Sequence, residues 1–184
     1  IPCDVHDGDP KQIKDCIAIA KKNHCAVGAH IGYPDPKNQG YKDMDISIEE
    51  LQAWIYVQIG AFKALVQSEG LEIEHVRPHG ALYSKFVNDF KTSCAIAQVL
   101  KDINPWTILV GPSGPMLEKV AQEVGIRIAP EIYLGKRYDS EGTIILNRFH
   151  EMMAPQAIMD QAKQLINEST LTAADGRAVS VNFK

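Results

Sequence analysis

The sequence predicts an α/β protein whose parallel strands form a barrel-like sheet. Short apolar runs alternate with amphipathic helical segments along all 184 residues. The helical segments are about ten residues or longer, and strands joined by such connections pair in parallel through right-handed crossovers. Three apolar runs lead into a glycine-flanked histidine, which places histidines at strand carboxyl ends, where α/β proteins bind ligands. No internal repeat or linker divides the chain, so we predict one barrel-like domain over residues 1–184.

Capping and turn signals delimit the predicted elements. Asp9 before Pro10 is typical of a helix start, and Ser47 with Glu50 forms a capping box for a second helix. The loop between the first strand and that helix is rich in Pro, Gly, Asn and Asp, and its length is typical of a functional segment. In chain order we predict a helix from residue 10, a strand over 25–30, a loop over 32–45, a helix capped by residue 47 and running to about 68, a strand over 75–77, a helix over 81–102 interrupted near 88–89, a strand over 106–110, a helix over 116–124, strands over 126–129 and 143–146, a helix over 155–167 and a strand over 178–183.

The composition argues against several classes of partner. A formal net charge of -4 and the absence of a basic stripe argue against a nucleic-acid partner. No apolar stretch approaches the ~18 residues that a membrane span requires, and the first residues lack the pattern of a signal peptide. The four cysteines show no Cys-x-x-Cys spacing, which predicts buried, reduced thiols in an intracellular protein. We therefore expect a cytoplasmic protein that does not contact a membrane.

The first histidine segment joins His6 and Asp9 at the start of the first helix. Asp9 has the position of a helix N-cap, whether or not it also has a chemical role. His6 lies between Asp4 and Asp7, so it is a candidate metal ligand or general base, and the alternative is an exposed loop residue. These residues alone leave the three interpretations open.

The second and third histidine segments provide stronger candidates. His30 follows small and apolar residues, and a tight turn beyond it would bring Asp35 close enough to orient the imidazole. His79 lies between a proline that restricts the backbone and a glycine that lets a ligand approach. We expect the loop over residues 32–45 to cover the cleft that these histidines share and to be mobile without ligand.

Glu131 follows a predicted strand and is expected at the same end of the sheet as the two histidines. Its two interpretations are a general acid or base and a salt-bridge partner of Lys136 or Arg137. Residues 111–115 contain glycines before a helix, but their two prolines remove backbone donors that a phosphate cradle needs. The remaining histidines are interpreted as incidental: His24, His75 and His150.

These histidine segments resemble motifs of the LamB/YcsF family, whose characterised member is the A subunit of the bacterial ATP-dependent 5-oxoprolinase. Residues 3–10 match Cys-Gly-Phe-His-Ala-Gly-Asp-Pro, residues 28–35 match Gly-Ala-His-Pro-Gly-Tyr-Pro-Asp, and residues 77–83 match Lys-Pro-His-Gly-Ala-Leu-Tyr. Residues 57–62 are similar to the family's Tyr-Gln-Ile-Gly-Ala-Leu on the long helix. The resemblance covers the whole chain, although residues 38–42 lack both arginines of the corresponding family segment and with them bidentate anion contacts.

The resemblance implies a fold, an activity and partners. The fold is a modified (β/α) TIM-like barrel of the glycoside hydrolase and polysaccharide deacetylase type, and we expect further strands beyond both ends of residues 1–184. The activity is hydrolysis of a carbon–nitrogen bond in a cyclic amide, as in the ATP-dependent cleavage of 5-oxoproline to glutamate by one subunit of a complex. The implied partners are a small lactam substrate, the other 5-oxoprolinase subunits, and ATP bound together with those subunits.

The resemblance also implies roles for the candidate residues. His30 and His79 would be general acid-base or orienting groups, Glu131 or Asp9 would position water, and His6 is a further candidate catalytic residue. The residues expected to bind the substrate are Tyr33, Asp35, Gln58, Arg77 and Tyr83.

Two alternatives remain open. A metal-dependent amidase or deacetylase on the same scaffold would hold a divalent ion with His6, His30 and His79, because three histidines can bind a catalytic zinc with one position open. A diverged paralogue without catalysis would retain the fold as a binding or assembly subunit. Metal analysis separates the first alternative from lactam hydrolysis.

Overall fold

A computed structural model of the protein describes residues 1–146 and 153–181. Helices and strands alternate along it, and the predicted interruption of the helix near residue 88 is confirmed. Asp89 ends one helix there and caps the next one through a 2.8 Å hydrogen bond from the Thr92 amide. The elements are α1 (Pro10–Lys22), β1 (Val27–Ile31), α2 (Ile48–Ser68), β2 (Ile73–Pro78), α3 (Gly80–Asn88), α4 (Phe90–Ile103), β3 (Ile108–Pro112), α5 (Pro115–Val124), β4 (Arg127–Glu131), α6 (Pro155–Glu168), β5 (Thr170–Thr172) and β6 (Ala178–Ser180).

Four parallel strands form the main sheet in the order β1-β2-β3-β4. Each strand pairs with the next one along the chain, through a connection that contains at least one helix. The first residues extend the same order, because the Ile1 carbonyl accepts a 2.8 Å bond from the His30 amide and Pro2 bridges in parallel to His30. Sequential parallel pairing of this kind is the arrangement of a TIM-like barrel. The α/β fold class with parallel strands is therefore confirmed.

The core lies between the strands and the inward faces of the helices. On α2 the buried side chains recur at helical spacing, and Ile55 and Phe62 are fully enclosed. They pack in one apolar cluster with Val76 of β2 and Leu109 of β3. β1 is buried over most of its length, whereas β4, at one edge of the described four-stranded sheet, is only partly buried. This core fixes the strand ends, and with them the residues that follow each strand.

Two predicted strands have a different structure. Residues 143–146 form only an isolated antiparallel bridge between Tyr138 and Ile144, and they do not join the parallel sheet. The strand predicted over 178–183 is the shorter β6, which pairs antiparallel with β5 in a separate two-stranded sheet. A short turn at Asp175 and Gly176 joins these two strands, and such a connection permits only antiparallel pairing. Residues 182 and 183 lie outside the described residues.

The cysteine prediction is only partly right. All four thiols are free, but only Cys3 is buried, whereas Cys16 and Cys25 are exposed and Cys94 is intermediate. On α1 the buried positions are Ile13 and Ile17, so Cys16 lies at the edge of the apolar stripe rather than in it. Among the described residues, no helix combines the length and apolar character of a membrane span.

Candidate functional site

The three motif histidines come together at the carboxyl end of the parallel sheet. His30 pairs in register with Arg77 on the neighbouring strand, so His79, two residues beyond Arg77, emerges beside the end of β1. The segment before α1 contributes His6 from the other side. The ring centroids of His6 and His79 lie 4.6 Å apart in a stacked arrangement, and those of His30 and His79 lie 4.8 Å apart. The predicted histidine cluster therefore exists in the fold.

The hydrogen bonds of His30 and His79 define where their protons lie. His30 Nδ1 lies 3.0 Å from the Arg77 carbonyl oxygen, and His79 Nε2 lies 2.8 Å from the Gln39 carbonyl oxygen. Carbonyl oxygens only accept, so these partners assign a proton to each of the two nitrogens. The remaining nitrogens, His30 Nε2 and His79 Nδ1, lie 3.0 Å apart. This contact is a hydrogen bond only when one further proton lies between them.

His6 is the most enclosed of the three imidazoles, with 2% of its surface exposed. Its Nδ1 is buried without a hydrogen-bond partner among the described residues. Gly32 lies against this edge of the ring, and a Cβ at that position would lie 2.7 Å from His6 Nδ1. The absence of a side chain at Gly32 is therefore what allows His6 to stack on His79.

Gln58 holds the backbone of Gly32 in place. Its Oε1 accepts a 2.9 Å hydrogen bond from the Gly32 amide, and its Nε2 donates a 3.0 Å bond to the Gly32 carbonyl. The Nε2 also donates to the Trp54 carbonyl at 3.2 Å. Gln58 is 1% exposed, and its side-chain amide forms hydrogen bonds with backbone groups. The structure thus places this predicted substrate-binding residue behind the histidines and not in the cleft.

Burial controls the charge of two of the imidazoles. It lowers the pKa of His6 and of His30 to about 4, and the neighbouring charge of His79 adds to the effect. Desolvation disfavours the charged form of an imidazole, so both rings are neutral at pH 7. His30 is therefore a proton acceptor through Nε2, since its Nδ1 donates to the backbone.

A second cluster surrounds the carboxylate of Glu131. Arg77 donates from Nε to both carboxylate oxygens at 2.9 and 3.1 Å, and Tyr83 and Tyr133 donate their hydroxyl hydrogens at 2.9 and 3.1 Å. Burial and the adjacent carboxylate raise the pKa of Tyr83, so it stays a neutral donor. Glu131 thus has a salt-bridge partner, Arg77, on β2 across the intervening strand β3.

A cleft of about 670 Å³ opens beside both clusters. Of the predicted site residues, Arg77, His79 and Tyr83 line it. The loop over residues 32–45 contributes Tyr41 and Asp43 to its wall, and the Tyr41 ring packs edge-on against His79 at 4.8 Å. The loop therefore borders the cleft, and its covering of the cleft and its mobility without ligand stay predictions.

Three other predicted residues have structural contacts. Asp9 is exposed and caps α1, accepting bonds from the amides of Lys11 and Gln12 at 2.8 and 3.0 Å. Asp35 caps the one-turn 3-10 helix Pro36–Asn38, so its bonded oxygen faces Asn38 and does not orient His30. Tyr33 is 2% exposed and belongs to the core cluster.

The described residues contain no ready-made metal cluster, and the loop over residues 111–115 offers few donors to a phosphate. Within residues 1–146 and 153–181, no group of three His, Cys, Asp or Glu side chains is arranged to hold a metal ion. His30 and His79 direct toward each other the nitrogens that would be ligands. In the loop over residues 111–115, the Ser113 amide already donates to the Glu131 carbonyl, and the prolines have no N–H to offer.

Several residues of the site were not predicted from the sequence, among them Tyr133 and Gln39. Tyr133 supplies one of the donors to Glu131, and Gln39 supplies the carbonyl that binds His79. Tyr133 follows Glu131 by two residues at a strand end, a position that could have suggested it. Nothing in the side chain of Gln39 indicates its role, because only its backbone takes part.

Together these features define an α/β barrel-type protein with a histidine cluster and an arginine-bearing cleft at its strand carboxyl ends. Comparison with known proteins gives the family. The chain matches the LamB/YcsF family over residues 1–184, and it belongs to that family.

Curated relatives and a solved structure agree with this membership. The chain is 34% identical over 182 residues to the 5-oxoprolinase A subunit of Thermococcus sibiricus, covering 99% of this chain and 69% of that protein. It is 33% identical over 182 residues to the 5-oxoprolinase A subunit of Pyrococcus furiosus, with the same coverage of both proteins. The crystal structure of a lactam utilization protein from Thermus thermophilus superimposes with a TM-score of 0.88 at 34% identity, covering 98% of this chain and 74% of that one.

Proposed function

We propose that this chain is the lactam-hydrolysing subunit of a 5-oxoprolinase, an enzyme that opens the ring of 5-oxoproline to give glutamate. The observation that carries the proposal is the pair of His30 and His79 beside the cleft, whose facing nitrogens lie 3.0 Å apart, with His6 stacked on His79. The names of the relatives, 5-oxoprolinase A subunit and lactam utilization protein, support the same reaction class.

Ring opening requires one proton acceptor and one proton donor. Water adds its oxygen to the lactam carbonyl carbon and loses a proton, and the carbon–nitrogen bond then breaks as the ring nitrogen gains one. Positioned acid and base groups typically contribute ~10²–10⁴-fold to such steps. His79 lines the cleft and His30 lies directly behind it, so the pair has access to both proton transfers.

The pair is suited to this work because it can hold or release one proton. With the proton present between His30 Nε2 and His79 Nδ1, the pair is an acid that can protonate the leaving nitrogen. Without it, two lone pairs face each other at 3.0 Å, and the pair can take up the proton that water loses as it adds to the lactam carbonyl carbon. The Gln39 carbonyl occupies the outward nitrogen of His79, so a substrate must displace it to reach that atom.

ATP and the partner subunits are part of the proposal, and no step here passes through ATP. The amide of a five-membered lactam is unactivated, so ring opening needs a source of free energy. The described residues offer no triphosphate cradle in the loop over 111–115, which favours ATP binding by, or together with, other subunits. Because ATP is an intracellular substrate, we propose a cytoplasmic location.

The test is reconstitution of turnover with purified partner subunits, ATP and 5-oxoproline, with glutamate measured as product. We expect His79→Ala to lower turnover by ~10²–10⁴-fold while the variant stays folded, since His79 makes no side-chain cap bond to α3. His24→Asn is the matched control, because His24 is exposed at the end of α1 in a left-handed conformation that asparagine tolerates. We expect it to retain wild-type turnover.

The other outcomes identify the alternatives. Loss of activity on chelation and recovery with a divalent ion would favour the metal-dependent amidase. A folded, assembled complex that opens no lactam would favour the non-catalytic paralogue. Full activity of folded His79→Ala would refute the role of the histidine pair.

A further inference from the structure

We propose that Arg77 is the receptor for a substrate carboxylate, so that the cleft selects lactams that carry an acidic group next to the ring nitrogen. This inference rests on the proposed function, because it identifies which part of 5-oxoproline the cleft recognises. Three observations support it: the contacts that fix the Arg77 guanidinium, its two Nη nitrogens without a partner among the described residues, and the hydrogen bond between the Arg77 backbone and His30.

The guanidinium of Arg77 is fixed on one edge and on its faces. Its Nε donates to Glu131, and its central carbon lies 4.9 Å from the ring centroid of Tyr83 and 5.6 Å from that of Tyr133. Glu131 is in turn held by the hydroxyls of the same two tyrosines. Ion pairing and cation–π contacts that act together leave an arginine little freedom to reorganise when a ligand arrives.

The other edge of the guanidinium is open. Within residues 1–146 and 153–181, neither terminal Nη nitrogen of Arg77 has a hydrogen-bond partner, while the residue lines the 670 Å³ cleft. Two Nη atoms side by side match the two oxygens of a carboxylate in a bidentate pair. Glu131 serves to position Arg77, and its negative charge is already matched by Nε.

The surroundings of the open guanidinium edge favour an anion. Among the described residues, the charged side chains that line the cleft include Lys85, which also lies 3.9 Å from Asp89, and Asp43. The amino-terminal end of α3, at Gly80, also lines the cleft and adds the partial positive charge of a helix start. A neutral lactam would leave this positive potential unused.

Arg77 also connects recognition to the reacting groups. Its carbonyl oxygen accepts the hydrogen bond of His30 Nδ1 at 3.0 Å, while its side chain faces the cleft. A carboxylate bound at the Nη atoms is therefore held at a fixed offset from the histidine pair. In 5-oxoproline the carboxylate and the lactam carbonyl flank the same ring nitrogen, so fixing the first orients the second.

The experiment is calorimetric titration of the purified full chain with L-5-oxoproline, with its carboxamide, and with 2-pyrrolidinone. We expect 5-oxoproline to bind at least 10-fold more tightly than either neutral lactam. Arg77→Met should weaken 5-oxoproline binding by about 10- to 100-fold without changing the affinity for the neutral lactams, since charge-assisted bonds contribute about 1.5–3 kcal/mol. Arg77→Lys retains the positive charge but cannot form a bidentate pair. Its affinity for 5-oxoproline should lie between those of the wild type and Arg77→Met.

Two further variants separate binding from folding. Arg127→Met is the matched control, because Arg127 is exposed at the opposite end of its strand, and it should bind 5-oxoproline like the wild type. Arg77→Met leaves Glu131 without its cation, so the double variant Arg77→Met with Glu131→Gln tests the same loss without an unpaired carboxylate. Thermal melting of each variant monitors folding.

The outcomes distinguish this inference from the proposed function. Equal affinity for the three ligands, or unchanged 5-oxoproline binding in folded Arg77 variants, overturns the carboxylate receptor even when lactam turnover is intact. Displacement of 5-oxoproline by inorganic phosphate at equal or lower concentration overturns it in favour of a phosphate site. Selective, Arg77-dependent binding in a chain whose complex opens no lactam supports the receptor and refutes the proposed function.

Discussion

At the residue scale, one glycine decides whether the histidines can stack. The atom that a side chain at Gly32 would add lies 2.7 Å from His6 Nδ1 and 3.0 Å from its Cγ, closer than real contacts allow. His6 cannot retreat easily, because it is 2% exposed and its other side stacks on His79. Space for the imidazole is therefore provided by the backbone.

We expect Gly32→Ala to lower the free energy of unfolding by about 1–3 kcal/mol, the usual cost of overpacking, and to reduce turnover by displacing His6. Gly60→Ala on α2 is the matched control, because a Cβ there meets nothing within 4 Å. That control should be neutral or stabilising by up to about 1 kcal/mol, since alanine is the better helix former. Urea denaturation and turnover of both variants are the measurements, and a stable, active Gly32→Ala would contradict the packing argument.

The sequence predicted the histidines of this site better than their partners. His30 and His79 could be found because each lies at the end of a predicted strand with a glycine within two residues, which is a local pattern. The pairing of Arg77 with Glu131 could not be predicted from the sequence, because it joins β2 to β4 across β3 and depends on the order of strands in the sheet. For the same reason Gln58 was predicted to bind substrate, since its side chain was not known to face Gly32.

At the scale of elements, α2 docks on the end of β1 through a polar contact inside the core. Gln58 joins the helix to Gly32, the residue that follows the strand, with one donated and one accepted hydrogen bond. Both backbone groups of Gly32 are thereby satisfied in a place that water does not reach. The contact fixes the position of the end of β1 relative to α2, and with it the start of the loop over residues 32–45.

Gln58→Leu retains the approximate volume and removes these bonds. We expect it to lower the free energy of unfolding by about 2–4 kcal/mol, because each buried group left unsatisfied costs about 1–3 kcal/mol. Gln67→Leu on the same helix is the control, since Gln67 is exposed and its bond to Glu72 is 3.3 Å long. Its effect should stay within about 0.5 kcal/mol, as is usual for surface positions. Chemical denaturation of both variants decides, and equal stability would show that Gln58 has no anchoring role.

Element boundaries show which signals the sequence carries. The helix starts at Asp9 and Ser47 were predictable because the capping side chains bond to amides close by in the chain. The strand predicted over 143–146 is wrong, because an apolar run does not reveal whether a neighbouring strand is available to pair with it. β5 was missed because it has only three residues, and it forms with β6 across a short turn.

At the scale of the whole molecule, the sequential order of the parallel strands gathers the functional groups. Residues after β1, β2 and β4 meet at one edge because every crossover returns the chain in the same direction. This collects neutral, buried imidazoles at one end of the sheet. These imidazoles therefore give the stability of the whole fold a pH dependence.

The sign of that dependence follows from the lowered pKa values. His6 and His30 have a pKa of about 4 in the folded protein, against about 6.5 in an unfolded chain. Between these values the unfolded state binds protons that the folded state rejects, so the free energy of unfolding falls as the pH is lowered from about 6.5 to about 4. The slope from the two residues fades as the pH rises through about 6.5 and is nearly absent one unit above it.

We expect a slope of up to about 1.4 kcal/mol per pH unit for each histidine in this window. Urea denaturation at pH 7.5, 6, 5 and 4.5 measures it, and His30→Asn should flatten the curve because one titrating group is gone. The exposed His24→Asn variant serves as the control and should retain the wild-type slope. A flat wild-type curve down to pH 4.5 would mean that the buried imidazoles take up protons in the folded state, and the neutral assignment of His30 as proton acceptor would then fail.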